Sequence, residues 1–186
     1  LIDAFNRGAG RILASGIPDL PVDQEQGNIS TVAVYAGRAW YAGVHSNING
    51  GDARSATFSG VIFFSQVMQS PIDLIKCYTE ADPTNPEVSD PVETDGGAIN
   101  IPDASNIVKL LPIKSSLFVF AENGVWEIKG DESGFRYTTW QVSKIAGLGV
   151  SSPKSIVEVS GNLFFWTYDG IYTLVQNQSG GYDAQS

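Results

Sequence analysis

The sequence writes one pattern twice. Leu117-Phe118-Val119-Phe120 is followed by Ala121-Glu122-Asn123 and then by Gly124-Val125-Trp126-Glu127-Ile128. Leu163-Phe164-Phe165-Trp166 is followed by Thr167-Tyr168-Asp169 and then by Gly170-Ile171-Tyr172-Thr173-Leu174. Matched positions lie 46 residues apart: Leu117 with Leu163, Gly124 with Gly170, Trp126 with Tyr172, Ile128 with Leu174. Aromatic and β-branched residues fit a pleated strand, and Asn-Gly or Asp-Gly between two such runs is a strong hairpin signal. An antiparallel unit recurring every ~40–50 residues is the signature of a β-propeller blade. The expected fold class is therefore all-β: a β-propeller-like repeat of antiparallel blades with a long acidic insertion, part of a larger propeller.

A third copy precedes these two. Thr31 to Tyr35 alternates, Ala36-Gly37-Arg38 turns, and Ala39-Trp40-Tyr41-Ala42-Gly43 follows, with Gly37 falling where Gly161 falls in the last copy. Ser59-Gly60-Val61-Ile62-Phe63-Phe64-Ser65 then takes the part of Gly170-Ile171-Tyr172, and a polar loop over 44–58 replaces the tight turn. The segments read as a connector or arm over 1–30, a first blade over 31–66, a Pro-rich acidic insertion over 67–103, a second blade over 104–146, and a partial third blade with a polar tail over 147–186. Ala98 to Ile101 is read as a return strand, and Phe135 to Val142 as the outer strand of the second blade. The third blade's outer strands are expected to be missing. A start at Leu1 and a single Met suggest a piece of a longer polypeptide.

Composition narrows the function classes. The net charge of −9, from 20 acidic and 11 basic residues, has the wrong sign for a tight general nucleic-acid binder. It suits a surface that DNA passes without sticking, because like charges repel across about a Debye length. One cysteine, Cys77, leaves no internal disulfide framework and no multi-cysteine zinc site, and reads as a small buried or half-buried thiol. No apolar run approaches the ~18 residues of a membrane-spanning helix.

Motifs for chemistry are missing or badly spaced. Against the EF-hand pattern, Asp82 would open the loop, but Glu87 stands where the sharp turn needs Gly and Pro86 replaces a ligand. An irregular calcium site at Asp82, Asp90 or Asp95 competes with the plainer reading of a solvated loop. His45 is the only histidine and has no partner at a fixed spacing. No Gly-x-Ser-x-Gly elbow, Walker loop or dinucleotide fingerprint occurs. Asp131 to Trp140 imitates a sialidase-type Asp box with the wrong spacing. Trp40, Trp126, Trp140 and Trp166 could stack on sugars, but burial in the repeat core is the expected role. The chain is read as no enzyme, with no catalytic residues, no metal site and no cofactor.

Several runs, taken in order, carry a family resemblance. They are Tyr35 to Gly43, Phe63 to Gln66, Cys77 to Thr84, Thr94 to Ile99, Val119 to Gly130, and Ser152 to Val157 ahead of the last hairpin. The series, spanning roughly 32–174, resembles the tail nozzle proteins (tail tubular protein B-like) of short-tailed bacteriophages. The resemblance implies a virion structural protein located in the phage tail. It implies a homo-oligomer, a hexameric ring, that meets a tail adaptor and other tail proteins and conducts DNA during ejection without specific binding. No catalytic residues come with the family. On this reading the long insertion supplies a channel or subunit-contact loop, with Glu80, Asp82, Glu87, Asp90, Glu93 and Asp95 as its candidate residues. Two alternatives stand beside it: a carbohydrate-binding or glycan-degrading propeller acting in receptor binding, and a propeller module with a peptide partner.

Overall fold

The structure, a computed structural model, describes residues 27–47, 55–79, 91–150, 152–178 and 180–186. Its strands are β1 (Gly27–Tyr35), β2 (Arg38–Asn47), β3 (Ser55–Phe64), β4 (Gly97–Asn100), β5 (Ile107–Ile113), β6 (Ser116–Ala121), β7 (Gly124–Lys129), β8 (Gln141–Ala146), β9 (Ile156–Val159), β10 (Asn162–Thr167), β11 (Gly170–Gln176) and β12 (Tyr182–Gln185). They form three four-stranded antiparallel sheets, each an up-and-down meander in chain order: β1 to β4, β5 to β8, and β9 to β12.

The 46-residue spacing survives as register. Leu117 pairs with Ile128 and Val119 with Trp126; Leu163 pairs with Leu174 and Phe165 with Tyr172. The tight turns ahead of these pairs also match. Ala36 and Gly37 (φ 50° and 69°) join β1 to β2, and Ser160 and Gly161 (φ 52° and 79°) join β9 to β10. Two positive φ values in succession match the right-handed twist of the flanking strands, which is why glycine recurs at the second place.

Period-two alternation gives each sheet two faces, a forward face toward the next sheet in the chain and a back face toward the preceding one. The forward side chains of the first sheet, Tyr35, Trp40, Ile62 and Phe64, meet the back side chains of the second, Leu117, Val119, Trp126 and Ile128, in one core. Forward Phe118, Phe120 and Val125 of the second sheet meet Ile156, Leu163, Phe165 and Leu174 of the third. At one edge the first strands run side by side: the Leu110 N–H donates to Thr31 Oγ1 at 3.0 Å, and Lys109 Nζ donates to the Ile156 carbonyl at 3.2 Å.

Three expectations change and one holds. Much of the 44–58 loop is strand, since β2 runs on to Asn47 and β3 begins at Ser55, with a bulge between Ala42 and Val44. Residues 97–100 are indeed a return strand, and they complete the first sheet against β3, so the acidic stretch is an excursion within that sheet. The outer strand of the second sheet is Gln141–Ala146, not 135–142. Ahead of it, bridges Asp131–Gly134 and Arg136–Thr139 close two tight turns, and Phe135 is buried with its ring 4.7 Å from Trp40 and 5.2 Å from Phe64. Burial of one large ring outweighs a local alternation. Finally, the third sheet has its fourth strand, because β12 pairs with β11 from Gln176–Tyr182 to Thr173–Gln185. No described helix is long and apolar enough to cross a membrane.

Candidate functional site

The residues on either side of 80–90 come together in a neck on the β3–β4 connection. After Phe64 the chain folds back along the β1–β2 turn, with Ser65 N–H donating to the Ala39 carbonyl and Met68 N–H to the Gly37 carbonyl, both at 2.8 Å. A 3-10 turn, Pro71–Ile75, follows, as expected where proline occupies the first position after Ser70. The returning strand is tied to the leaving one by Val67 N–H to the Thr94 carbonyl (3.1 Å) and Gly96 N–H to the Tyr78 carbonyl (3.2 Å).

Arg38 locks this neck. Its guanidinium is fully buried. Nη1 donates to the carbonyls of Ser65 (2.8 Å), Thr94 (3.1 Å) and Asp95 (2.5 Å), and Nη2 donates to the Glu93 carbonyl (2.5 Å). The planar fork suits several acceptors at once, which an ammonium cannot match. Its carbon lies 5.6 Å from the Phe64 ring centre and 5.7 Å from that of Phe135, within cation–π range. Burial lowers its pKa to about 10, with the Asp95 carboxylate acting the other way, so it remains cationic at neutral pH.

The acids divide by position. Glu80, Asp82, Glu87 and Asp90 lie outside the described residues. Asp95 is buried, and its Oδ2 accepts from Val92 N–H at 2.9 Å, closing the turn that returns the chain to β4. The Glu93 side chain is exposed and pairs with Arg136 Nη1 at 2.6 Å, while Tyr137 N–H donates to the Glu93 carbonyl at 3.2 Å. The neck is thus fastened to the double turn of the second sheet as well. Asp73, outside the sequence-derived set, takes N–H donors from Gln69 and Ser70 and pairs with Lys76 at 3.1 Å; the Lys76 ammonium and those amides lower its pKa.

No described pair of side chains at the neck joins a nucleophile to a base. The Cys77 thiol is buried beneath the neck, and burial pushes its pKa up, which suppresses the reactive thiolate. Among the described residues no group of three or more His, Cys, Asp and Glu could hold a metal ion. His45 lies in β2 opposite Thr57. Of the four tryptophans, Trp40 and Trp126 are in the core as expected, but Trp140 and Trp166 are exposed. What the arrangement provides is a hydrogen-bonded neck that fastens residues 65–79 and 91–96 to the sheet edge.

Sequence reasoning passed over Arg38, treating it as a turn residue. One signal was present: its repeat partners, Ser116 and Asn162, are also polar at the first residue of the second strand. Ser116 is buried too, bonded to Glu127 Oε1 at 2.6 Å. No protein-family model matches the sequence, and no curated protein matches it significantly.

Proposed function

We propose that this chain is a virion structural protein, a nozzle or tail-tube component of a short-tailed phage that assembles as a ring, a hexamer, and conducts DNA during ejection. It is part of a β-propeller whose consecutive blades are the three meander sheets. The observation that carries the reading is the neck: a buried arginine and two cross-links hold both ends of an acid-rich excursion against the sheet edge. Long loops built on a rigid base are the usual carriers of contact and function. The excess of acid over base suits a lumen that DNA crosses without being held. The ordered resemblance to nozzle proteins supplies the setting, with a tail adaptor and other tail proteins as neighbours.

Mass spectrometry and immunogold labelling of purified tailed particles test this reading. The chain should be present and located at the tail tip; particles that lack it would refute the proposal. The lumen placement fails separately if a ring map sets the Glu80 to Asp95 acids on the outer face around a basic channel.

One observation favours a second reading, glycan binding. Trp166 and Tyr168, 65% and 89% exposed, border a shallow groove of about 320 Å³ with Ser155 and Thr167. Exposed rings can stack on sugar faces. Glycan binding by the isolated protein that is lost in both Trp166→Ala and Tyr168→Ala would decide for it.

A further inference from the structure

Two irregularities in the ladders open onto the same space. The register of β2 on β3 slips between Ala42 and Val44, so that Gly43 faces a stretch of β3 beginning at Ser59. The register of β5 on β6 slips between Ile107 and Lys109, which leaves Val108 without a partner on β6. Gly43, Ser59, Ile107 and Val108 line one cavity of about 360 Å³, together with Pro153 ahead of β9. Left-handed backbone marks both slips: Gly43 has φ 62°, and Asn106, another lining residue, has φ 48°. Bulges re-aim side chains and gather beside binding sites, and a non-glycine residue at positive φ persists only where its surroundings hold it. Asn106 is held by its own side chain, whose Nδ2 donates to Glu122 Oε2 at 2.9 Å.

We infer that this cavity binds a primary ammonium group on a short aliphatic stem, the chemistry of a small alkylamine or of a lysine side chain. Its lining offers acceptor oxygens from the Glu122 carboxylate, the Asn106 amide and the hydroxyls of Ser30 and Ser59. The Ser30 hydroxyl donates its proton to the Gly43 carbonyl at 3.1 Å, which leaves its oxygen as an acceptor. The Asn106–Glu122 bond likewise leaves Asn106 Oδ1 and Glu122 Oε1 without a partner among the described residues. No described Lys, Arg or His lines the cavity, and nearby Lys109 is turned to the Pro153 and Ile156 carbonyls at 3.3 and 3.2 Å. That balance favours a cation. A single open carboxylate oxygen does not match a guanidinium fork, and a lone carboxylate undersupplies a calcium ion, which takes about 6–8 oxygens. The three donors of an ammonium suit separate single acceptors. Ile107, Val108 and Pro153 supply an apolar wall along which methylenes can lie. The volume suits a small ligand. The site shares no lining residue with the neck or with the Trp166 groove, and it stands or falls independently of the tail reading.

Titration of the isotope-labelled 186-residue chain with n-butylammonium at constant ionic strength, followed by amide chemical shifts, tests the site. Saturable shifts should gather at Gly43, Ser59, Glu122 and the stretch from Asn106 to Val108. n-Butanol, of nearly the same shape without the charge, should bind at least about tenfold more weakly, and Glu122→Gln should weaken the ammonium by roughly the same factor. Glu158→Gln, which removes an exposed acid on β9, should leave the affinity unchanged. Shifts spread over the surface acids, equal binding of n-butanol, or an unchanged affinity in Glu122→Gln would each overturn the inference. Should Glu122→Gln not fold, the comparison of n-butylammonium with n-butanol on the unmodified chain decides alone. Two further probes separate the sources of the ammonium once the site is established. Tighter binding of Nα-acetyl-lysine methylamide than of diaminobutane at the same amides would point to the lysine of a partner protein, and the reverse order to a free diamine.

Discussion

At the scale of single residues, Arg38 does most to hold the candidate site together. Replacing it with Met keeps the bulk of the side chain but removes the guanidinium donors from the buried carbonyls of Ser65 and Asp95 and leaves the Glu93 carbonyl with the Tyr137 N–H. Losing one side of a buried, charge-assisted network costs about 3–5 kcal/mol. Urea denaturation of Arg38→Met should show that loss, and Arg38→Lys should recover only part of it; an unchanged midpoint would sink the clamp. Glu93→Ala breaks only the exposed pair with Arg136 and should cost less than about 1 kcal/mol. Arg38 was hard to see because its acceptors lie 27 and 57 positions away, whereas the turn beside it is local. The tyrosines yield a pH effect of known sign. Burial raises Tyr35 and Tyr41 from 10.0 to about 12, so the folded protein keeps protons that the unfolded chain has released. Their contribution is complete below pH 10 and is lost as pH rises through about 12. Melting temperatures followed alongside tyrosinate absorbance should fall together across that window.

At the scale of elements, the hairpins were legible because every signal for them is short-range: alternation, a two-residue turn, and a fixed spacing. The parts that resisted depend on neighbours from other sheets. Residues 135–142 alternate like a strand, yet Phe135 is taken by Trp40 and Phe64 from the first sheet, and the strand starts six residues later. β12 hides in a polar tail because it is four residues long, and it is anchored by Tyr182, whose ring meets Phe118 edge-on at 4.9 Å. The β2 bulge carries a prediction of its own. Gly43 has φ +62°, and a Cβ there would stand 2.6 Å from Ser30 Cβ and 2.8 Å from the Ile107 carbonyl oxygen. Gly43→Ala should therefore cost roughly 1–3 kcal/mol, through both backbone strain and a crowded joint between the first two sheets. Thermal unfolding checks this, and a variant as stable as the parent would show that the bulge is not held as described.

At the scale of the whole molecule, three sheets stack forward face on back face, and among the described residues one end is covered by the 65–79 segment while none covers the other. The 46-residue spacing foretold the repeat, but it could not tell which faces would be covered. That depends on how a segment far along the chain folds back over Tyr41 and Phe63. On the proposed reading, three antiparallel sheets with a clamped acidic excursion serve an assembly in which shape and charge matter. The central claim is that such chains close into a ring around DNA. The mass of the full-length protein in solution, by native mass spectrometry with class-averaged electron micrographs of the same sample, tests it most directly. The account predicts a six-fold ring with an open centre; a stable monomer at micromolar concentration, or a closed assembly without a channel, would contradict it.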